Sequence, residues 1–271
     1  MEITPTILLL YLVTLLCLGS ALACFTWRYP RGKVAEWEQE ARQLLGIKDA
    51  SDSRLIQPSD FVKGRSFCPS CQNTLAIRDL IPLVSFCLNK GHCRFCHAPI
   101  SYRYPLIEIG YALALLPLIW VVQSPLEWLL LMMLVSSLCV VSIVDIEHFF
   151  IPDECNVLIL GCGLLLALLN GNDLTAHILG MMIGYSVLYL IRFVYLLVRK
   201  AEMLGLGDVK LLAVTGAWLG IYELANIVLI ASISAIFYVF VKGISKQNPL
   251  PFGPFIALAS MTLYYWRQFI G

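Results

Sequence analysis

Long apolar runs divide this sequence, and they constrain its fold more than any other feature. Eight of them approach the roughly 20 residues that a helix needs to cross a bilayer. Only 14% of the residues are charged, against about a quarter in an ordinary soluble domain. The chain therefore lacks the polar surface for a soluble fold of its length. We predict membrane-spanning helices at about residues 5–27, 105–122, 126–144, 154–170, 176–198, 209–221, 224–241 and 250–268.

The sixth and seventh runs are almost continuous, and a single long helix is the alternative interpretation. Gly216 and Gly220, followed by Glu223, favour a break between the two runs. The predicted fold class is thus an all-α polytopic membrane protein with about eight spans and one large insert between the first and second.

The distribution of basic residues predicts the orientation. Twelve of the 19 Lys and Arg residues lie between Arg28 and Arg103, and the short loops at 123–125, 170–175 and 220–223 carry none. Because basic loops stay in the cytoplasm, we predict a cytoplasmic insert and an N-terminus on the outer side, with Arg267 as an exception. The basic residues follow the first apolar run, which favours a retained helix over a cleaved signal peptide. No basic stripe indicates nucleic acid, so the predicted partner is the lipid bilayer.

The insert begins with an amphipathic segment at residues 33–46. Val34, Trp37, Ala41 and Leu44 share one face of the predicted helix, which Gly46 is placed to end. We expect this face to pack on the insert's own core. The membrane surface is the weaker alternative, because the charges are mostly acidic. A polar connector follows at 48–62. We therefore predict three parts: a first span (1–27), a cytoplasmic domain (28–104) and a seven-helix membrane domain (105–271). The cytoplasmic domain contains the compact cysteine module (63–104).

Two Cys-x-x-Cys pairs in the insert predict a metal site. Cys68 and Cys71 are followed 21 residues later by Cys93 and Cys96. Four thiolates complete a tetrahedral shell and leave no open position, which is typical of structural zinc in a ribbon-like module. Thiols that stay reduced or serve redox chemistry are the alternative. Cys87 lacks a paired spacing and is predicted to be buried.

Two aspartates stand at the ends of predicted spans. Asp145 ends the third span, and Asp208 opens the sixth within Gly205-Leu-Gly207-Asp208. Ionisable residues at membrane depth indicate function, and the predicted topology puts both on the cytoplasmic side. A pair of carboxylates that share a proton can activate water and protonate a carbonyl oxygen, which is aspartyl protease chemistry. The glycines would let a substrate strand approach closely.

Three further charged residues have open interpretations. Asp153 in the first turn of the fourth helix is a candidate capping residue or a catalytic group. Lys210 is a candidate membrane-edge anchor, or it keeps a carboxylate ionised. Glu108 in the second span is expected to bind an arginine or a backbone group. A helix N-terminus stabilises anions, so we further hypothesise that Asp208 is the ionised base and Asp145 the protonated acid.

Several motifs together resemble those of the type IV prepilin peptidases, membrane aspartyl proteases of the Gly-x-Gly-Asp class. They cover nearly the whole chain: Gly19-Ser20 with Arg28-Tyr29-Pro30, both cysteine pairs, Pro99 to Pro105 with Glu108, Asp145 with Ile151-Pro152-Asp153, and Gly205 to Lys210. One departure is that Ala21 and Ala23 stand where the family usually has Phe and Asn, which puts any role of that Asn in doubt.

The resemblance implies Asp145 and Asp208 as the catalytic pair, with Gly205, Gly207, Lys210 and Asp153 supporting the catalytic loop. It implies cleavage of the basic leader of prepilins or pseudopilins, after a glycine, at the cytoplasmic face of a bacterial inner membrane, in type IV pilus or type II secretion assembly. Many members also methylate the new N-terminus with S-adenosylmethionine. No glycine-rich motif locates a site for that donor here, so methylation is implied by the resemblance alone.

Two other function classes compete with this interpretation. A transporter should place its acidic groups near the bilayer midplane, whereas both aspartates are predicted at one face. A non-enzymatic assembly scaffold would account for the cysteine module but would not require both aspartates. A cleavage assay with single aspartate substitutions separates the three.

Overall fold

A computed structural model describes residues 4–46, 66–122, 124–200, 204–243 and 249–270. Across these ranges the chain is helical, and the only β-structure consists of two isolated bridges. The predicted connector at 48–62 and the predicted start of the module at Lys63 lie outside the described residues. The all-α prediction is confirmed for the rest.

Ten α-helices follow one another in the described part of the chain. They are α1 (Pro5–Leu44), α2 (Val84–Leu88), α3 (Arg103–Leu115), α4 (Leu118–Val121), α5 (Pro125–His148), α6 (Asp153–Leu169), α7 (Leu174–Arg199), α8 (Leu206–Leu219), α9 (Leu224–Lys242) and α10 (Gly253–Phe269). Short 3₁₀ turns lie at Ile77–Leu80 and Ile221–Glu223. Every predicted span thus contains a helix.

Five helical segments among the described residues are long and apolar enough to cross a membrane. These are Pro5–Leu44, Arg103–Val121, Pro125–His148, Leu174–Arg199 and Ile221–Lys242. The other three predicted spans correspond to α6, α8 and α10, which have 17, 14 and 17 residues. They are shorter than the roughly 20 residues of a full crossing, so a count of eight spans stays a proposal.

The first helix differs from its prediction. We expected a span ending near residue 27 and a separate amphipathic helix from residue 33, but α1 is continuous over 40 residues. Gly46 follows its end with a φ of +66°. Val34 and Trp37 are about half exposed and Leu44 is 89% exposed, so the expected packing on the insert's core is wrong. The reason is that residues 33–44 continue the first helix without a turn, so this segment does not fold back onto the rest of the insert.

Contacts divide the chain into two compact units, residues 1–116 and 117–271. In the first unit, α1 packs against α3. The Arg103 guanidinium donates hydrogen bonds to the Ala23 carbonyl (2.8 Å) and the Thr26 hydroxyl (2.9 Å). Farther along, the Tyr11 hydroxyl donates to the Leu115 carbonyl at 2.8 Å. Polar contacts therefore hold α3 to α1 at both of its ends.

In the second unit, α8 is the central helix and packs against α6, α7 and α10, while α5 packs against α6 and α10. Helices α7 and α8 pack closely, and a Cβ added to Gly216 would lie 2.6 Å from the Gly180 carbonyl oxygen. Gly216 is therefore a packing residue inside α8, and its predicted part in a helix break is wrong. Gly220 does end α8, with a φ of +87°, so the predicted break between the sixth and seventh helices is confirmed.

Candidate active site

Asp145 lies in the last turn of α5 and is only 6% exposed. The helix ends four residues later at Phe149, which adopts a left-handed conformation and donates its N–H to the Asp145 carbonyl. The Asp145 side chain is held separately. Its Oδ2 accepts a hydrogen bond of 2.9 Å from the backbone N–H of Gly253, the first residue of α10. The carboxylate is thus fixed by a helix that is distant in sequence.

Asp208 lies in the first turn of α8, whose N-cap is Gly205, and its side chain is half-buried. It is close enough to Asp145 for the two charges to interact. A Cβ added to Gly205 would lie 3.3 Å from Asp208 Oδ2, so Gly205 leaves room for this carboxylate. The structure brings together the two aspartates that the sequence singled out.

Ile151 packs against the starts of α8 and α10. A Cβ added to Gly207 would lie 3.0 Å from the Ile151 Cβ atom, and one added to Gly253 would lie 3.2 Å from its Cδ1 atom. Both glycines therefore face the same isoleucine side chain. Their lack of a side chain lets α8 and α10 approach the loop between α5 and α6 closely.

Substitution of Gly253 should disturb the site directly. A Cβ there would lie 2.8 Å from Asp145 Oδ2, which is closer than a carbon and an oxygen can approach, so Gly253→Ala must displace the carboxylate or α10. Because misplacement by about 1 Å can cost on the order of 10²-fold in rate, we expect a loss of that size in any activity of the site. Steady-state kinetics of the purified variant measures it.

Gly161→Ala is the matched control, because Gly161 lies inside α6 with nothing within 4 Å of an added Cβ. We expect this variant to keep wild-type activity and to unfold at the same or a higher temperature, since alanine favours helix more than glycine does. Equal activity of Gly253→Ala and wild type would show that the Gly253 contact does not position the site.

Asp153 and Lys210 form an ion pair with each other. The Lys210 Nζ atom lies 2.8 and 2.9 Å from the two Asp153 carboxylate oxygens, and the side chains are 43% and 66% exposed for Lys210 and Asp153. Asp153 is the first residue of α6, and the N-cap Pro152 makes no side-chain capping hydrogen bond. Of the two interpretations of Lys210, the contact to a carboxylate is observed, although that carboxylate is Asp153 rather than a member of the aspartate pair.

Sequence reasoning missed Gly253 and Ile151 as parts of this site. A signal for Gly253 exists, since Pro251-Phe-Gly-Pro254 opens the last apolar run at the same predicted face as both aspartates. A glycine beside a proline at a helix start indicates a close backbone approach. The contact with Asp145 spans 108 positions of sequence, so the pattern alone does not identify the partner.

The four cysteines of the insert form a cluster suited to zinc. Cys68, Cys71, Cys93 and Cys96 place their sulfur atoms within 4.8 Å of one another, and Cys68 and Cys96 are 3.9 Å apart at Sγ. A tetrahedral ion with Zn–S bonds of about 2.3 Å holds its sulfurs about 3.8 Å apart. The residues present therefore fit a structural zinc ion.

Both cysteine pairs adopt the same turn. The residue after each pair, Gln72 or His97, has a left-handed φ of 59° or 57°. Its N–H donates to the carbonyl of the first cysteine of its pair, at 2.8 Å to Cys68 and 2.9 Å to Cys93. Cys87, which we predicted to be buried, is exposed on α2, because that short helix turns it away from the cluster.

Backbone groups favour the thiolate at one of the four cysteines, Cys68. Burial disfavours the Cys68 thiolate, but the N–H groups of Cys71 and Ser70 and the neighbouring thiols outweigh it and lower the pKa of Cys68 to about 7. A thiolate is the form that binds a metal ion.

Glu108 is a buried carboxylate in the first unit, at 5% exposure. Its Oε2 accepts a hydrogen bond of 2.9 Å from the backbone N–H of Leu83, which confirms the prediction of a backbone partner. Leu83 holds an unusual backbone conformation, with φ +57° and ψ −45°. Such conformations are costly and are retained where the surroundings impose them, commonly at ligand sites.

Comparison with known proteins places these features in one family. Residues 13–122 match the bacterial peptidase A24 N-terminal domain, and residues 132–240 match the type IV leader peptidase family. The type 4 prepilin-like proteins leader peptide-processing enzyme of Escherichia coli O78:H11 is 36% identical over 258 residues, which cover 92% of this chain and 90% of the relative. No solved structure matches the chain.

Two further relatives carry the name prepilin leader peptidase/N-methyltransferase. The protein of Pectobacterium carotovorum is 36% identical, with 91% of this chain and 88% of the relative covered. That of Aeromonas hydrophila is 32% identical, with 94% and 89% covered. The residues matched by the two family models include all four clustered cysteines and both aspartates. The chain therefore belongs to the type IV leader peptidase family.

Proposed function

We propose that this protein is an aspartic endopeptidase that removes the basic leader of type IV prepilins or pseudopilins by cutting after a glycine. The observation that carries the proposal is the meeting of Asp145 and Asp208 at adjacent helix ends. Relatives that match almost the whole chain are named for processing prepilin leaders. The aspartates supply the chemistry, and the relatives indicate the class of substrate.

The proposed reaction uses one carboxylate as a base and one carboxylic acid. The base takes a proton from water as the water oxygen attacks the peptide carbonyl, and the acid donates to the carbonyl oxygen. The α8 N-terminus stabilises a charge on Asp208, while the Gly253 N–H stabilises a charge on Asp145. Because two neighbouring carboxylates repel each other when both are ionised, we expect the pair to share one proton and titrate as a unit.

We propose that the supporting residues position the two aspartates and take no part in proton transfer. Gly207 lets α8 approach Ile151, and Gly205 leaves space beside the Asp208 carboxylate. The Lys210–Asp153 ion pair joins the second turn of α8 to the first turn of α6. We propose that this pair keeps the two helix starts in register at the catalytic face.

We propose a multi-pass protein of the bacterial inner membrane with eight spans and an outer N-terminus. The cysteine module and both aspartates would then face the cytoplasm. Support comes from the basic residues of the first loop and from the aspartates, because α5 ends and α8 begins at the same site. We retain the three-part division at residues 27 and 104, with α1 continuing from the first part into the second.

Two cofactors are part of the proposal. A zinc ion held by Cys68, Cys71, Cys93 and Cys96 would be structural, because four thiolates leave no position for water. S-adenosylmethionine would supply a methyl group to the new N-terminus, as the names of the relatives indicate for those proteins.

The test uses the purified protein, a prepilin and S-adenosylmethionine, with the products identified by intact mass spectrometry. We expect a single cut after the glycine that ends the basic leader, and one added methyl group on the mature N-terminus. A scaffold or a transporter would leave the prepilin intact. Cleavage without methylation would support the proposed peptidase activity and contradict the proposed methyltransferase activity.

A further inference from the structure

The first unit contains a cavity of about 520 Å³. One face of α1 forms a wall, the cysteine module forms the opposite side, and the start of α3 closes the end. This volume lies within the roughly 300–1,000 Å³ typical of small-molecule sites. Neither Asp145 nor Asp208 is among the residues that line it.

Glu108 lines this cavity as a buried carboxylate. Leu83 is its only hydrogen-bond partner among the described residues, and no described Lys, Arg or His forms an ion pair with it. A buried carboxylate normally has a cation beside it, because an unpaired charge is costly away from water. The Leu83 hydrogen bond occupies Oε2 and holds the side chain in place, so Glu108 is suited to bind a cationic ligand.

The rest of the lining is aromatic and arginine-rich. Trp27, Phe67, Phe86 and Tyr104 contribute aromatic side chains, and Arg28 and Arg94 contribute guanidinium groups. Aromatic faces stack on nucleobases and attract cations, and arginine binds carboxylates. The cavity therefore combines the groups that recognise a purine, a cation and a carboxylate in one ligand.

We propose that this cavity binds S-adenosylmethionine, with the Glu108 carboxylate facing the sulfonium of the donor. The proposal rests on the methyl transfer proposed above. The donor contains a purine, a sulfonium, an ammonium and a carboxylate, which match the lining group by group. Transfer breaks the S–CH₃ bond, whose electrons stay on sulfur as a neutral thioether. The lone pair of the substrate amine forms the N–CH₃ bond, and the proton of that nitrogen passes to solvent.

The assignment gives the two reactions separate residues. Peptide cleavage would depend on α5 and α8, and methyl transfer on α1, the cysteine module and α3. Because Cys68 and Cys93 also line the cavity, the zinc cluster would shape the donor site.

The experiment measures donor binding directly, without any prepilin. Purified full-length protein is titrated calorimetrically with S-adenosylmethionine and with S-adenosylhomocysteine, which lacks the sulfonium charge. We expect Glu108→Gln to weaken donor binding at least about tenfold, because it removes the negative charge that faces the sulfonium, and to weaken binding of the product, which lacks the sulfonium, less. The glutamine keeps an oxygen for the Leu83 N–H. Glu36→Gln, an exposed change on α1, should bind like wild type.

A second variant and a labelling measurement keep the proposal open to refutation if Glu108→Gln is unstable. Ala21 is exposed and lines the cavity, so Ala21→Trp should fill it and abolish donor binding while leader cleavage by the aspartates continues. A photoreactive donor analogue should label peptides of the first unit. Unchanged binding by both variants, labelling only beyond residue 116, or no donor binding by wild type would each overturn the assignment. The proposed peptidase activity is tested separately, because only an absence of prepilin cleavage by the wild-type protein would contradict it.

Discussion

Asp145→Asn and Asp208→Asn are each expected to reduce leader cleavage by on the order of 10³-fold or more, because each removes a group that must exchange a proton. Asparagine keeps the shape of the side chain, and its oxygen can still accept the Gly253 N–H at position 145. Both variants should therefore fold and insert normally. Single-turnover cleavage of a prepilin, read by mass spectrometry, measures the loss.

Glu147→Gln is the control for this pair, because Glu147 is an exposed carboxylate two residues beyond Asp145 on the same helix end. We expect it to cleave at the wild-type rate. If either aspartate variant also cut at nearly that rate, the aspartyl mechanism would fail as assigned. Asp153 would then be the next candidate, and Asp153→Asn would become the decisive variant.

Cys93→Ser is expected to have the largest effect on stability. Structural zinc contributes on the order of 10 kcal/mol or more to the folding of small modules, and Cys93 is buried within the cluster at 5% exposure. We expect the variant to lose its zinc and to accumulate poorly in the membrane. Metal analysis of the purified protein and quantitative immunoblotting of membranes measure the two effects.

Cys87→Ser is the matched control, since Cys87 is an exposed thiol of the same module outside the cluster. It should keep one zinc ion per chain and wild-type abundance. A Cys93→Ser protein of normal abundance that had lost cleavage would contradict a purely structural role. One that kept its zinc would contradict the ligand assignment.

Features that depend on local sequence were predictable here. A span follows from a run of apolar residues, and the cysteine turns follow from two pairs with the same spacing. The break at Gly220 is a local property too, because its φ of +87° suits glycine. The two aspartates were found because a carboxylate at the end of an apolar run is costly to place in a membrane and is retained mainly where it has a function.

Features that depend on packing between distant segments were not predictable. Gly216 resembles a helix breaker in sequence but serves as a contact for Gly180, a role that only the pairing of α7 with α8 defines. The continuity of α1 through residue 28 depends on where its polar half lies, and local pattern leaves that undecided. Gly253 acquires its role from Asp145, more than a hundred residues earlier.

The contact between Gly253 and Asp145 also has a consequence for biogenesis. Both aspartates are translated and inserted well before α10, yet the hydrogen bond that fixes Asp145 comes from the first residue of that helix. A nascent chain that has delivered α5 and α8 to the bilayer still lacks this donor. Proteolytic competence would thus be withheld until α10 has been made and has packed against α5, so that an incompletely synthesised chain would not cleave other proteins.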